Sequence, residues 1–144
     1  MKVYIKLLIL IMWMTIIFLF STQTGAQSSK SSQFIIDILN FLHLDINSFF
    51  GRFTEFVVRK SAHMFEYFVL CLLIYYLVKD YLSYKVIISI FFSFLYACTD
   101  EAHQLFVPNR GPSFHDVLID TSGAIIAMCI LYFIKKIKKS ELKS

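Results

Sequence analysis

The chain has 144 residues, 58% of them apolar and only 17% charged, with a formal net charge of +4 and a mean hydropathy of +0.67. Soluble domains are roughly 45–50% apolar, so a water-soluble globule is excluded and a membrane protein is expected. The positive charge does not point to nucleic acid, because five of the fourteen Lys and Arg lie in the tail, at Lys135, Lys136, Lys138, Lys139 and Lys143, where they read as a topology signal.

The first apolar run, 3–20, is broken only by Lys6, whose long stem can reach the interface. Thr24 and Ala26 follow it, as small residues follow the apolar region of a cleavable signal, but the run is long enough to be an uncleaved anchor and is read as one. Residues 27–56 open with a polar stretch, Gln27 to Gln33, expected to be flexible. Beyond it Phe34, Ile35, Ile38, Leu39, Leu42 and Ile46 approximate a helical stripe with Asp37, Asn40 and Asp45 off it, which predicts a helix lying in the membrane interface. His43 and Asp45 in this segment are expected to be solvated.

A second span is predicted over 56–78, opening with Arg59, His63 and Glu66 on one helical stripe. The third, over 82–99, carries Ser89, Ser93, Ala97 and Asp100 along a small, polar stripe suited to close helix contact. Asp100, His103 and Gln104 then share a face at its end. VPNRGP makes a reversal, with Pro108, Asn109, Gly111 and Pro112 as turn residues. Ser113 and Asp116 have the spacing of a capping box, and the fourth span, 114–134, lines one face with Asp116, Asp120, Gly123, Ala124 and Ala127. Cys71, Cys98 and Cys129 sit singly in apolar runs and read as structural thiols. The fold expected is an all-α, four-span integral membrane bundle, a single domain over 1–144, with an interfacial helix between the first two spans.

Between Thr99 and Gly123 stand Asp100, Glu101, His103, Arg110, His115, Asp116 and Asp120. A charge at the centre of a membrane helix costs about 2.5–3.5 kcal/mol on insertion scales, so such a cluster marks ion pairing, a wet cavity or chemistry. Lys and Arg divide nine against five between alternate ends of the spans, which places both termini in the cytoplasm. The polar segments 21–60 and 100–115 then share the outer side, where His63 and Glu66 can meet Asp100, His103 and Asp116.

The chemistry available there suits an anionic phosphodiester. Arg110 with Lys60 or Arg59 matches phosphate oxygens. His103 or His63 can serve as base or nucleophile, with Asp100 to orient it. Asp116 or Glu101 can transfer the remaining proton or hold Arg110. Gln104 and Asp120 complete the expected substrate-binding set. Against this stands a structural alternative, in which Lys60, Arg59 and Arg110 neutralise Asp100, Glu101 and Asp116 and staple the helix ends together. Neither H-E-x-x-H nor H-x-x-x-H occurs, so no metal ligands are assigned; without a phosphate-binding glycine loop or Rossmann fingerprint, no cofactor is implied.

Taken together, Phe20, Ser21 and Gln23; Lys60, His63 and Tyr67; Asp100, Glu101, Gln104, Phe106, Pro108 and Arg110; and Ser113, Asp116 and Gly123 form a pattern covering nearly the whole chain. It resembles the VanZ-like membrane proteins, named after a teicoplanin-resistance determinant. Asn109 stands where that pattern has Gly, Asp120 stands where it has Asn, and Glu66 is outside it. The resemblance implies a protein of the bacterial envelope that affects glycopeptide susceptibility. Its grouping with membrane enzymes that exchange or cleave lipid headgroups implies a membrane lipid or lipid-linked cell-wall precursor as partner. Fold-level analogy alone does not assign a function.

Overall fold

The computed structural model describes residues 2–108 and 110–142, so the expected turn geometry at Asn109 and the tail lysine Lys143 lie outside the described residues. The described chain forms helices α1 (Val3–Ser21), α2 (Gly25–Phe41), α3 (Ile46–Phe50), α4 (Thr54–Val78), α5 (Lys85–Gln104) and α6 (Phe114–Glu141), with a short 3-10 turn over Gly51–Phe53. The helix-bearing segments Val3–Ser21, Ile46–Val78, Lys85–Gln104 and Phe114–Glu141 are long and apolar enough to cross a membrane, as the four apolar runs predict. At about 1.5 Å per residue, even α1 matches a hydrocarbon core of about 30 Å.

The expected flexibility of Gln27–Gln33 is corrected, for these residues lie within α2. Thr24 and Gln27 form a capping box: Thr24 Oγ1 accepts from the Gln27 amide and Gln27 Oε1 accepts from the Thr24 amide at 2.9 Å. Ser28, Ser32 and Ile36, spaced four apart, are the buried side chains of α2, which packs against α4. The predicted apolar stripe turns outward instead, with Phe34 66% and Leu42 59% exposed. His43 ends the helix in a left-handed conformation, φ 62°, and Asp45 caps α3 by accepting from the amides of Asn47 and Ser48; both side chains are exposed.

Two further boundaries differ from expectation. The third span starts at Lys85 rather than at residue 82, because Lys85 Nζ bonds the Lys79 carbonyl across the intervening turn, and α5 runs on through the polar Asp100–Gln104. The fourth continues to Glu141, since a lysine-rich helix is stable in water and need not end with the apolar run.

α4 is the hub, contacted by α1, α2, α5 and α6. The serine and alanine stripe of α5 is buried as predicted, at Ser89, Ser93, Ala97 and Asp100. On α6 the buried residues include Asp120, Gly123, Ala124 and Ala127. A Cβ built on Gly123 would fall 2.0 Å from the Met64 carbonyl oxygen, so α4 and α6 meet there backbone to backbone. α1 hangs on its neighbours by two aromatic hydrogen bonds: Trp13 Nε1 donates to the Glu66 carbonyl at 3.0 Å and the Tyr96 hydroxyl to the Met14 carbonyl at 2.7 Å. At one end of the bundle Lys6 Nζ reaches Asp80 at 3.2 Å, while Lys135 Nζ bonds the Tyr75 hydroxyl. The opposite end carries the polar cluster.

Candidate functional site

The polar cluster is assembled from the end of α1, the start of α4, the end of α5 and the start of α6. Lys60, in the second turn of α4, places Nζ 2.6 Å from Asp116 Oδ2 on α6. Glu101, in the last turn of α5, accepts from the Ser113 amide at 2.8 Å. These two bonds overturn the capping box expected of Ser113 and Asp116. Ser113 is the N-cap residue, but its side chain makes no capping bond, because Lys60 draws Asp116 away and Glu101 takes the amide that the acid would have accepted from. Gln104, buried, donates to Ser21 Oγ at 3.5 Å and ties α5 to α1.

The remaining charges are not paired off as a full staple requires. Arg59 pairs only with Glu55 among the described residues, at 3.8 Å. Among the described residues no carboxylate oxygen stands within ion-pair distance of Arg110. Burial and the nearby Arg59 guanidinium press Arg110 below the ordinary arginine value; a guanidinium nonetheless stays protonated in proteins. His63 Nδ1 faces two carboxylates, Glu66 Oε2 at 3.7 Å and Asp120 Oδ1 at 4.0 Å. Asp120 is 1% exposed and Asp100 4%, and neither Asp120 oxygen, nor Asp100 Oδ2, finds a partner among the described residues.

Arg59, His63, Glu66 and Arg110 line a cavity of about 260 Å³ whose other walls include Trp13, Ile16, Phe20 and Ile35. It opens between α1, α2 and α4, with basic groups at one end and apolar rings along its sides. Ser28, Ser31 and Ser32 of α2 and Gln23 add neutral polar lining. A larger groove of about 390 Å³, on the α5 side of α1, is lined by residues such as Leu70, Ile74, Phe92 and Leu95 and holds no ionisable group other than Tyr96.

The predicted site residues therefore divide. Lys60, His63, Asp100, Glu101, Gln104, Arg110, Asp116 and Asp120 gather at one end of the bundle. His103 is turned aside: its ring packs at a 41° tilt against Phe18 of α1, centroids 4.7 Å apart, and it does not line the cavity with Arg59 and Arg110. His115 is exposed. Glu66 and Tyr67, to which the residue pattern gives no binding or catalytic role, are neighbours of His63 as well. The signal for them was their spacing, three and four residues beyond His63 and so on its face of α4.

No curated protein and no solved structure is significantly similar to the chain. The family model described as VanZ/LLP1 matches residues 6–135, which include most of α1, the whole polar cluster and the lysine that joins α6 to Tyr75. By that match, and with the motif residues grouped at one end of a four-span bundle, the chain belongs to the VanZ/LLP1 family.

Proposed function

We propose that this protein binds, and at His63 processes, the phosphodiester headgroup of a membrane lipid or lipid-linked cell-wall precursor at the outer face of the bacterial cell membrane. The observation that carries the reading is the cavity in which Arg59, Arg110 and His63 meet beside apolar walls. Guanidinium forks suit phosphate oxygens, and the apolar rings suit the glycerol and first methylenes of a lipid. α2, with its apolar stripe turned outward, would lie in the membrane surface and form the side wall of the entrance.

With Nδ1 toward Glu66 and Asp120, His63 makes no hydrogen bond through Nε2 among the described residues, which leaves that nitrogen for a ligand in the cavity it lines. Acting as general base, it takes the proton of an incoming water or alcohol as the new P–O bond forms. The bond to the headgroup alcohol breaks, and the imidazolium returns the proton to that leaving oxygen. The two arginines hold the charge developing on the phosphoryl oxygens. Altered headgroups or precursors are then the route by which the protein changes glycopeptide susceptibility.

The test is headgroup release or exchange by purified protein in phospholipid vesicles carrying a labelled headgroup. Turnover is expected, and it should fall in His63→Ala and Arg110→Ala. No turnover, together with lipid binding unaffected by Arg110→Ala, would remove the proposal. A second reading has its own support: Lys60–Asp116 and Glu101–Ser113 are staples between helix ends, and a purely structural cluster predicts that His63→Ala alters stability without altering any lipid.

Both termini are assigned to the cytoplasm on the lysine and arginine distribution. A cysteine introduced at Gly111, where an added side chain meets nothing within 4 Å, should react with an impermeant maleimide on intact cells. Reaction only after the membrane is opened would invert the topology.

A further inference from the structure

Beneath the cavity, hydrogen-bonding atoms are left without partners among the described residues: Glu66 Oε2, the Tyr67 hydroxyl, Asp100 Oδ2 and both carboxylate oxygens of Asp120. Tyr67 is 0% exposed and Asp120 1%. They form one group, because Asp100, Asp120 and Glu66 all act electrostatically on the Tyr67 hydroxyl and His63 Nδ1 stands between Glu66 and Asp120. Native proteins leave few buried polar atoms unmatched, and buried charges are costly unless they are paired. So many in one place point to something that fits against them.

The group is short of positive charge and hydrogen-bond donors: three carboxyl groups share the Tyr67 hydroxyl and His63 Nδ1, which stands 3.7 Å from Glu66 and 4.0 Å from Asp120. Lys60 is taken by Asp116 at 2.6 Å, and Arg110, which acts on Glu66 and Asp100, faces the phosphate. No three His, Cys, Asp or Glu among the described residues are placed to hold a metal ion. A primary ammonium supplies both missing elements, with three N–H donors around one charge. Glu66 lines the same cavity as Arg59 and Arg110, so one molecule can meet the guanidiniums and the carboxylate together.

We propose that the site selects a lipid phosphodiester bearing a primary ammonium a few bonds from phosphorus, with phosphate on Arg59 and Arg110 and the ammonium on Glu66. Asp120, which shares His63 with Glu66, adds a second carboxyl at that end of the site. The assignment rests on the reading of the cavity as a phosphodiester site and adds the charge at its other end. A trimethylammonium headgroup has the charge without the N–H donors, and a glycerol headgroup lacks the charge.

Binding of dioleoyl phosphatidylethanolamine, phosphatidylcholine and phosphatidylglycerol to the purified full chain, measured by native mass spectrometry, tests this. The ethanolamine lipid is expected to bind about tenfold more tightly than the other two, the scale of one charge-assisted hydrogen bond. Glu66→Gln should reduce that preference to about twofold or less while phosphatidylglycerol still binds. Asp120→Asn, which leaves the cavity wall intact, should weaken the preference too and serves if Glu66→Gln does not fold. Soluble glycerophosphoethanolamine should bind at least about tenfold more weakly than the lipid, having nothing to lay against the apolar walls; equal binding would overturn the lipid part. A wild type that binds all three lipids alike, or a preference that survives both substitutions, overturns the ammonium assignment. If the three bind alike and all weaken in Arg110→Gln, the phosphate reading stands while the ammonium falls. If Arg110→Gln changes nothing, both fall.

Discussion

Gly123→Ala is expected to destabilise the protein, although alanine is the better helix former by about 1 kcal/mol. The new Cβ would fall 2.0 Å from the Met64 carbonyl oxygen and 2.9 Å from its carbonyl carbon, and backbone atoms cannot swing aside as a side-chain tip can. α4 and α6 must separate, which pulls Ala124 and Ala127, both 0% exposed, off their partners and strains the Lys60–Asp116 bridge at the mouth of the same helix pair. Overpacking of this kind costs about 1–3 kcal/mol and more when backbone must move. Gly123→Leu should leave little folded protein in mild detergent, whereas Gly111→Ala, with open space around it, should behave as wild type. Thermal unfolding followed by size-exclusion chromatography checks this; a Gly123→Leu variant as stable as wild type would contradict the close approach of α4 and α6.

His63→Ala should lower headgroup turnover by about 10²–10⁴-fold, the range for loss of a general base, with lipid affinity little changed. Arg110→Ala should act on both, since a phosphate contact works in the ground state as well as in the transition state. His103→Ala should cost less than about tenfold, because its ring lies on Phe18 and outside the cavity. Comparing the two histidine variants is informative, as the residues alone offer either as the base. A larger loss in His103→Ala than in His63→Ala would move the reacting centre to the α1–α5 side of the bundle.

Much of the architecture was legible in the residues because the membrane imposes a simple rule. Four apolar runs had to be helices, and charged residues at their ends had to face one another or water. The convergence of Lys60, His63, Arg110 and Asp116 follows from that rule and from short connections between successive spans. The first half of α2 was not legible, since a run of Ser and Gln has the composition of a linker, whereas the stripe from Phe34 does predict its second half as helix. Its order comes from the Thr24–Gln27 capping box and from a serine face whose fit against α4 is a tertiary fact. The Ser113–Asp116 motif misled for the complementary reason: a local bond lost to a stronger distant one, with Lys60. His103 shows the limit of helical spacing. Three residues advance a helix about 300° and four about 400°, so His103 and Gln104 flank Asp100 about 100° apart: both reach α1, Gln104 buried against Ser21 and His103 half-buried against Phe18. Glu66 and Asp120 can be read off the chain, but not that Glu66 Oε2 and both Asp120 oxygens, beside His63, go without a hydrogen-bond partner among the described residues.

Arg59 and Arg110, from separate parts of the chain, are expected to close on one lipid phosphate beside His63. Solid-state NMR on protein with ¹⁵N-labelled arginine in phospholipid bilayers measures this through ¹⁵N–³¹P dephasing. Guanidinium signals dephased at hydrogen-bonding range, and lost for each site in turn in Arg59→Gln and Arg110→Gln, are the predicted result. Arginine signals that show no phosphorus neighbour, or dephasing that persists in both variants, would contradict it.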